Sequence, residues 1–407
     1  MHSHGPAPPP AGSAAPERSG VEVAEIFRVH GGEYRRTHAL SGHQRAVMHA
    51  IETCRTAVRG GHRDVCPACG EVRISYNSCR DRHCPKCQTL AQVKWVVERQ
   101  ARILPVAHFH VVFTVPDALR PVAAAHPARF YELLFRAASA TLLALCADPG
   151  RLGAQPGITA VLHTWTRDLR LHPHLHCIVT GGGLSRDGTR WIAARQRYLL
   201  PAKVVSRLFR GKLVAALEEA HAAGELSCAA TADFARLRRR LFAKEWVVYA
   251  KRPFGGAQAV FSYLGRYTHR VAISNRRLLS MDGRGVRFLV RGSKIATLAP
   301  QDFIGRFLQH VLPEGFVKIR HYGLLAAGNV NTRLAAARRL LDGRHPLPGP
   351  VLVALALFVA LWRPPSEQLG WRERLLLLTG VDPLRCPRCG HTMQRLPLAA
   401  PAAPDTS

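Results

Sequence analysis

The stretch His172-Pro173-His174-Leu175-His176-Cys177-Ile178-Val179 decides how the rest of the chain is read. Its apolar, β-branched end reads as a strand that runs to Thr180 and stops at Gly181-Gly182-Gly183. Residues two apart on a strand share a face. His174 and His176 therefore project together while Leu175 enters the core. Two imidazoles on one face form a bidentate metal site. A third ligand from elsewhere would still leave positions open for substrate, as a catalytic ion requires. His163, Gln258 and His269 are candidates for that ligand, and His172 shares the face by alternation, with Pro173 between. A lone His-x-His pair is more often solvated or core than ligating, so its weight depends on its company.

Working outward, His108 to Val115 is a second strand, ended by Pro116, and Ile158 to Trp165 a third. Trp246 to Ala250 and Phe316 to Arg320 read as further strands. Asp282-Gly283 between Leu278 to Met281 and Val286 to Val290 is a hairpin signature. Ile26 to Thr56, Leu90 to Leu104, Phe130 to Cys146, Val204 to Ala220 and Phe234 to Phe242 carry helical periodicity. A further helix is expected from about Ala257, and Phe303, Phe307 and Val311 mark another. Strands and helices segregate in this way in an α+β domain with a mainly antiparallel sheet.

The 407 residues include 57 Lys and Arg against 27 Asp and Glu, a formal charge of +30, which points to a polyanion such as nucleic acid. The 11 cysteines are too few and too clustered for a disulfide scaffold: six fall between Cys54 and Cys87. Such clustering indicates metal binding in a reducing compartment. Cys66-x-x-Cys69 and Cys84-x-x-Cys87 are two knuckles, expected to close one four-sulfur zinc site. Cys54, His62, Cys79 and His83 remain in the same segment. They could hold a second metal, although their irregular spacing favours core thiols and DNA-facing imidazoles. Cys386-x-x-Cys389, with His391 nearby, is half a site, to be completed in trans or by distant residues. Cys146, Cys177 and Cys228 read as core thiols. Met1 to Gly20 lacks the apolar core of a signal peptide. The apolar run Val351 to Trp362 is too short to span a bilayer.

Downstream of the histidines lies Phe261-Ser262-Tyr263-Leu264-Gly265-Arg266-Tyr267-Thr268-His269-Arg270. Tyr263 and Tyr267, four apart, share one face of a helix. Such a pair is usually core packing, but Arg266, His269 and Arg270 are unusual neighbours for a core face. Tyrosine is also a competent covalent nucleophile.

These elements, with Tyr76 to Gln88, His108 to Pro116 and Arg320-His321-Tyr322-Gly323-Leu324-Leu325-Ala326, together resemble the rolling-circle insertion-sequence transposases of the bacterial IS91 family. The resemblance runs from roughly Glu33 to Met393. It implies an HUH-nuclease domain (U being a bulky apolar residue), a central antiparallel sheet flanked by helices and preceded by a small zinc-binding module. His174 and His176 match the metal ligands, Tyr263 and Tyr267 the nucleophiles, and Cys66, Cys69, Cys84 and Cys87 the zinc cysteines. The implied activity is nicking and religation of single-stranded DNA at element ends and target through a 5′-phosphotyrosine. Mg²⁺ or Mn²⁺ would be catalytic and Zn²⁺ structural. Arg80, Arg82, Lys86, Arg266 and Arg270 are the expected phosphate contacts. The setting would be the bacterial cytoplasm, at the nucleoid when bound, with host replication factors as further partners and no membrane. The rivals are a plasmid-type replication initiator and a non-catalytic zinc-dependent DNA-binding regulator.

The expected organisation is a disordered tail (1–25), a zinc-binding DNA-recognition domain (26–104), the nuclease domain (105–345), a linker with an apolar segment (346–370), a Cys-x-x-Cys segment (371–397) and a disordered tail (398–407).

Overall fold

The structure, a computed structural model, describes residues 20–88, 102–195, 199–251, 271–291, 294–342 and 380–401, together with Arg372, Glu373 and Leu376. The paired tyrosines, the helix expected from Ala257, most of the Leu90 to Leu104 helix and the Val351 to Trp362 run lie outside these residues. Ile26 to Thr56, expected as one helix, is two: α1 (Val23–Thr37) and α2 (Gly42–Thr53). The break is encoded at Ser41. Its hydroxyl accepts from the Gln44 amide, and the Gln44 side chain accepts from the Ser41 amide, each at 3.1 Å. This capping box satisfies two otherwise orphaned donors and starts a new helix.

A hairpin of β1 (Gly61–Val65) and β2 (Val72–Tyr76) follows, in a stretch whose composition showed no strand periodicity. β3 (His108–Thr114) leads through helices α3 (Arg120–Ala125) and α4 (Pro127–Ala147) to β4 (Gly157–Trp165) and β5 (Leu171–Thr180). A short hairpin, β6 (Gly182–Leu184) and β7 (Trp191–Ala193), precedes α5 (Ala202–Ala222), α6 (Phe234–Phe242) and β8 (Val248–Lys251). β9 (Leu278–Asp282), β10 (Gly285–Leu289) and β11 (Ile295–Leu298) form a small sheet. After it come α7 (Pro300–Leu308), β12 (Ile319–Gly323), α8 (Arg333–Asp342) and β13 (Gln394–Leu398).

The main sheet has the order β12-β4-β5-β3-β8, every neighbouring pair antiparallel. This is the α+β architecture expected. Alternation sorts its two faces. Phe109, Val111 and Phe113 of β3, Ala160 and Leu162 of β4, and Leu175, Cys177 and Val179 of β5 are buried together with Phe130, Leu134 and Phe135 of α4 and Phe209 and Leu213 of α5. Phe113 meets Phe209 edge-on at 4.8 Å. Residues of the opposite parity, the histidines among them, face the other way. By length and composition α4 could cross a membrane. Here it is the core helix, with Phe130, Leu133, Leu134, Phe135 and Leu142 fully buried. The last strand starts at Ile319 rather than Phe316, whose ring instead packs on Tyr131 at 5.7 Å. It ends at Gly323, where φ is +61° and a Cβ would run into the Pro156 carbonyl oxygen. Only glycine fits that turn.

A second core joins distant parts of the chain. Ile26 and Phe27 of α1 and Val47, Met48 and Ile51 of α2 pack with Val286 and Phe288 of β10 and Phe303, Ile304 and Phe307 of α7. Residues 271–308, expected with the nuclease, thus share a core with residues 23–54. At the other end, Pro397 and Leu398, placed at the edge of a disordered tail, belong to β13, which pairs with β1.

Two buried histidines make the fold acid-sensitive. His310 lies between the Thr164 hydroxyl (3.2 Å) and the Leu169 carbonyl (3.1 Å), and His108 Nδ1 donates to the Val106 carbonyl at 2.8 Å. Burial holds both well below the ordinary 6.5, at about 4. Between these values the unfolded chain binds more protons than the folded one. The stability is therefore complete above pH 6.5 and is lost as pH falls toward 4, by about 2 kcal/mol per histidine at pH 5. The thermal midpoint should fall between pH 7 and pH 5, and His310→Gln should make that fall shallower.

Candidate metal centres

The sheet register assembles the histidines. In the β4–β5 ladder His163 lies opposite His174 and Val161 opposite His176. Directly paired residues share a face and bring their Cβ atoms within about 5.5 Å. One ring nitrogen from each of His163, His174 and His176 lies within 4.8 Å of the others. His163 is therefore the candidate third ligand that the described structure brings in; Gln258 and His269 fall outside it. His172 follows on the same face, its ring 5.5 Å from that of His174.

Hydrogen bonds aim the rings. His174 Nδ1 donates to the His172 carbonyl at 2.7 Å, which leaves its Nε2 lone pair free. His176 Nδ1 is 2.8 Å from Nε2 of His110, on the neighbouring strand β3, so His176 can likewise present Nε2. Such partners fix tautomer and orientation in metal sites. Burial lowers the pKa of all three, His174 to about 4, and the neighbouring imidazoles lower His163 and His176 further. All three are neutral at pH 7, the form that binds metal.

Beside this face runs an open cleft of about 670 Å³, lined by Thr114, His172, Arg240, Lys244 and Tyr249 among others. Thr114 sits opposite His174, and Tyr249, 55% exposed, sits opposite Val112 on the histidine face. Asp117 and Glu245 are its acidic members. A groove with cations at Arg240 and Lys244 and an exposed aromatic ring at Tyr249 offers the two kinds of contact a single nucleic-acid strand uses, stacking for its bases and cations for its phosphates.

The thiols are grouped differently from expectation. Cys66, Cys69, Cys84 and Cys87 do not form one site. Cys84 and Cys87 join Cys54 and Cys79, while Cys66 and Cys69 join Cys386 and Cys389. The reason is the hairpin. Cys66 and Cys69 ride on its turn, whereas Cys54, Cys79 and Cys84 lie beyond its open end. Five-residue strands hold those ends roughly 16 Å apart. Within the first group Cys79 Sγ is 3.7 Å from Cys87 Sγ, and the Cys79 amide donates to Cys54 Sγ at 3.5 Å. Four sulfurs 2.3 Å from one zinc would be about 3.8 Å apart, so the group fits a tetrahedral ion.

Cys54 and Cys79 are thus candidate ligands, but not with His62 and His83. His83 is buried: the Leu312 amide donates to its Nε2 at 3.1 Å, and its Nδ1 donates to Asp81 at 2.9 Å. Burial keeps it neutral despite Asp81. It pins the thiol loop to the segment before β12. His62 lies on β1, outside both thiol groups.

Arg82 does similar work, donating to the carbonyls of Pro313 and Phe316, and Lys86 pairs with Glu22 at 2.7 Å. Both are thus engaged within the protein as well. Arg80 is exposed, with φ +58°. Arg266 and Arg270 lie outside the described residues.

Sequence reasoning missed Cys386 and Cys389 as partners of Cys66 and Cys69. A signal was present: Cys66-Pro67-Ala68-Cys69-Gly70 and Cys386-Pro387-Arg388-Cys389-Gly390 share a pattern that Cys84-Pro85-Lys86-Cys87-Gln88 breaks at its last position.

Comparisons with known proteins identify the family. Residues 157–333 match a family model described as a putative transposase, and residues 26–115 match a transposase zinc-binding domain of the IS91 type. A putative transposase, y4qJ, of Sinorhizobium fredii is 46% identical over 91% of this chain and 94% of its own length. The transposase for insertion sequence element IS801 of Pseudomonas savastanoi pv. phaseolicola is 27% identical over 84% of this chain and 80% of its own. No solved structure matches. With both modules matched and a relative alike over nearly its whole length, the chain belongs to the IS91 family of insertion-sequence transposases.

Proposed function

We propose that this transposase cuts and rejoins single-stranded DNA by tyrosine transesterification on an HUH-type nuclease sheet, for rolling-circle movement of an insertion sequence. The observation that carries the reading is the convergence of His163, His174 and His176 on the sheet face opposite the core helices. A Mg²⁺ or Mn²⁺ ion held by these imidazoles would neutralise the charge developing on a scissile phosphate. Imidazole is softer than the carboxylate sites Mg²⁺ prefers, so Mn²⁺ should support cutting better. The His172 carbonyl and His110 hold the liganding rings in place. Arg240, Lys244 and Tyr249 would guide the strand along the cleft.

Tyr263 and Tyr267 supply the nucleophiles, and i, i+4 spacing would bring both hydroxyls to one centre. The phenolic oxygen bonds to phosphorus as the 3′ oxygen leaves; the phenol proton is given up and the leaving oxygen takes one. The ester retains the energy of the broken bond, so a 3′-OH reverses the step without a nucleotide cofactor. A second tyrosine permits a second cut while the first adduct persists. The reaction belongs in the bacterial cytoplasm at the nucleoid, with host replication factors restoring the displaced strand. Zn²⁺ in the thiolate groups is structural, and the module around it would recognise DNA.

Incubation with single-stranded DNA carrying an element end and Mn²⁺ should give a covalent protein–DNA adduct resistant to denaturation. Tyr263→Phe with Tyr267→Phe should abolish it. No adduct with any divalent ion would sink the nuclease reading in favour of a DNA-binding regulator.

A further inference from the structure

We infer that Cys66, Cys69, Cys386 and Cys389 bind a second zinc ion, which clasps the C-terminal segment onto the N-terminal hairpin. The site lies outside both matched segments on its C-terminal side. Cys66 Sγ is 3.4 Å from Cys389 Sγ, and Cys69 Sγ is 3.7 Å from Cys386 Sγ, close to the edges of a zinc–thiolate tetrahedron.

The two halves are the same device. The Cys66 amide donates to the Glu71 carbonyl and the Gly70 amide to the Cys66 carbonyl. The Cys386 amide donates to the His391 carbonyl and the Gly390 amide to the Cys386 carbonyl. Gly70 and Gly390 both take positive φ, +72° and +76°. Each loop thus turns two thiols toward its counterpart, across 317 positions of sequence.

The strands repeat the junction. β13 pairs with β1 over its whole length, from Gly61 opposite Leu398 to Val65 opposite Gln394. Asp64, wholly buried in the middle strand, accepts from Arg395 of β13 at 2.7 and 3.0 Å and from Arg73 of β2 at 3.0 Å. Arg73 also donates to the Pro383 carbonyl. Yet the apolar core here is minimal: Cys66, Cys386 and Met393 are its buried members. Three short strands without a hydrophobic face to bury are marginal in water. A metal supplies what burial does not, and binding it is then folding.

Zinc counted by mass spectrometry on the full chain should give two ions per molecule. Cys386→Ser with Cys389→Ser should give one. Amide exchange along Gln394–Leu398 should speed up at least a hundredfold in that variant, while α1 and α2 stay protected. Cys389→His keeps a competent ligand and should retain both ions and the slow exchange. One zinc in the parent, or two in the double serine variant, would overturn the clasp. The parent count stands even if the double variant does not fold.

Discussion

Cys54→Ser should bind one zinc ion fewer per chain and lose the packing of the whole second core. Cys54 is fully buried at the C-terminal end of α2, in one cluster with Phe27, Met48 and Ile51 and with Phe303 and Phe307 of α7. A structural zinc contributes on the order of 10–16 kcal/mol to a small domain, as much as a whole domain's usual margin of about 5–15 kcal/mol. A missing thiolate therefore does more than leave a small cavity. Hydrogen exchange should rise in α1 and α2, and also in β10 and α7, which share their core. It should stay slow in α4, α5 and the main sheet. Cys146→Ser is the contrast: that thiol is buried in the α4 core, outside both thiol groups, and burial pushes it up to about 12. Its replacement should cost only about 1–3 kcal/mol, with zinc content unchanged. Full zinc and protected α1 and α2 in Cys54→Ser would refute its assignment as a ligand.

What could be read from the sequence follows the range of the signals. Alternation is local, so the strand carrying His174 and His176, the inward Leu175 and the apolar α4 were all legible. The capping box at Ser41 was equally local, but apolar periodicity on both sides concealed the break. Partners set by tertiary register were not legible. His163 was one of several candidates until β4 fell beside β5, and nothing in its own neighbourhood singled it out. The thiol grouping failed for a specific reason. Proximity in sequence favoured joining the knuckles at 66–69 and 84–87, whereas the intervening hairpin sends them to opposite ends. β1 and β2 themselves were missed because each is five residues long, with Val72, Ile74 and Tyr76 exposed rather than buried. Basic charge was also ambiguous: Arg82 reads as a phosphate contact, and the fold gives it a structural task that composition does not reveal, a clamp on two carbonyls.

His174→Ala or His176→Ala should each lower adduct formation on the order of 10²–10³-fold without unfolding the protein, because each removes a group acting where charge develops. Both side chains stand on the face away from the core helices and belong to neither apolar core, so a fold built on the opposite face tolerates their loss. Leu175, between them, points into that core and is fully buried. Leu175→Ala should do the reverse, costing about 2–5 kcal/mol of stability while the folded fraction keeps its activity. His163→Ala should resemble the ligand variants if His163 completes the site; adduct formation left intact would move the third ligand to a residue such as Gln258 or His269. His110 gives the sharpest discrimination. It orients His176 through Nδ1, so His110→Ala should cost only about 10–100-fold, in proportion to weakened metal affinity. Raising the Mn²⁺ concentration should restore much of that loss, and little of the loss in His176→Ala. If saturating Mn²⁺ rescued neither variant, His110 would be acting on something other than the hold on the ion. If it rescued both equally, His176 would be dispensable as a ligand and the centre would lie elsewhere on the sheet.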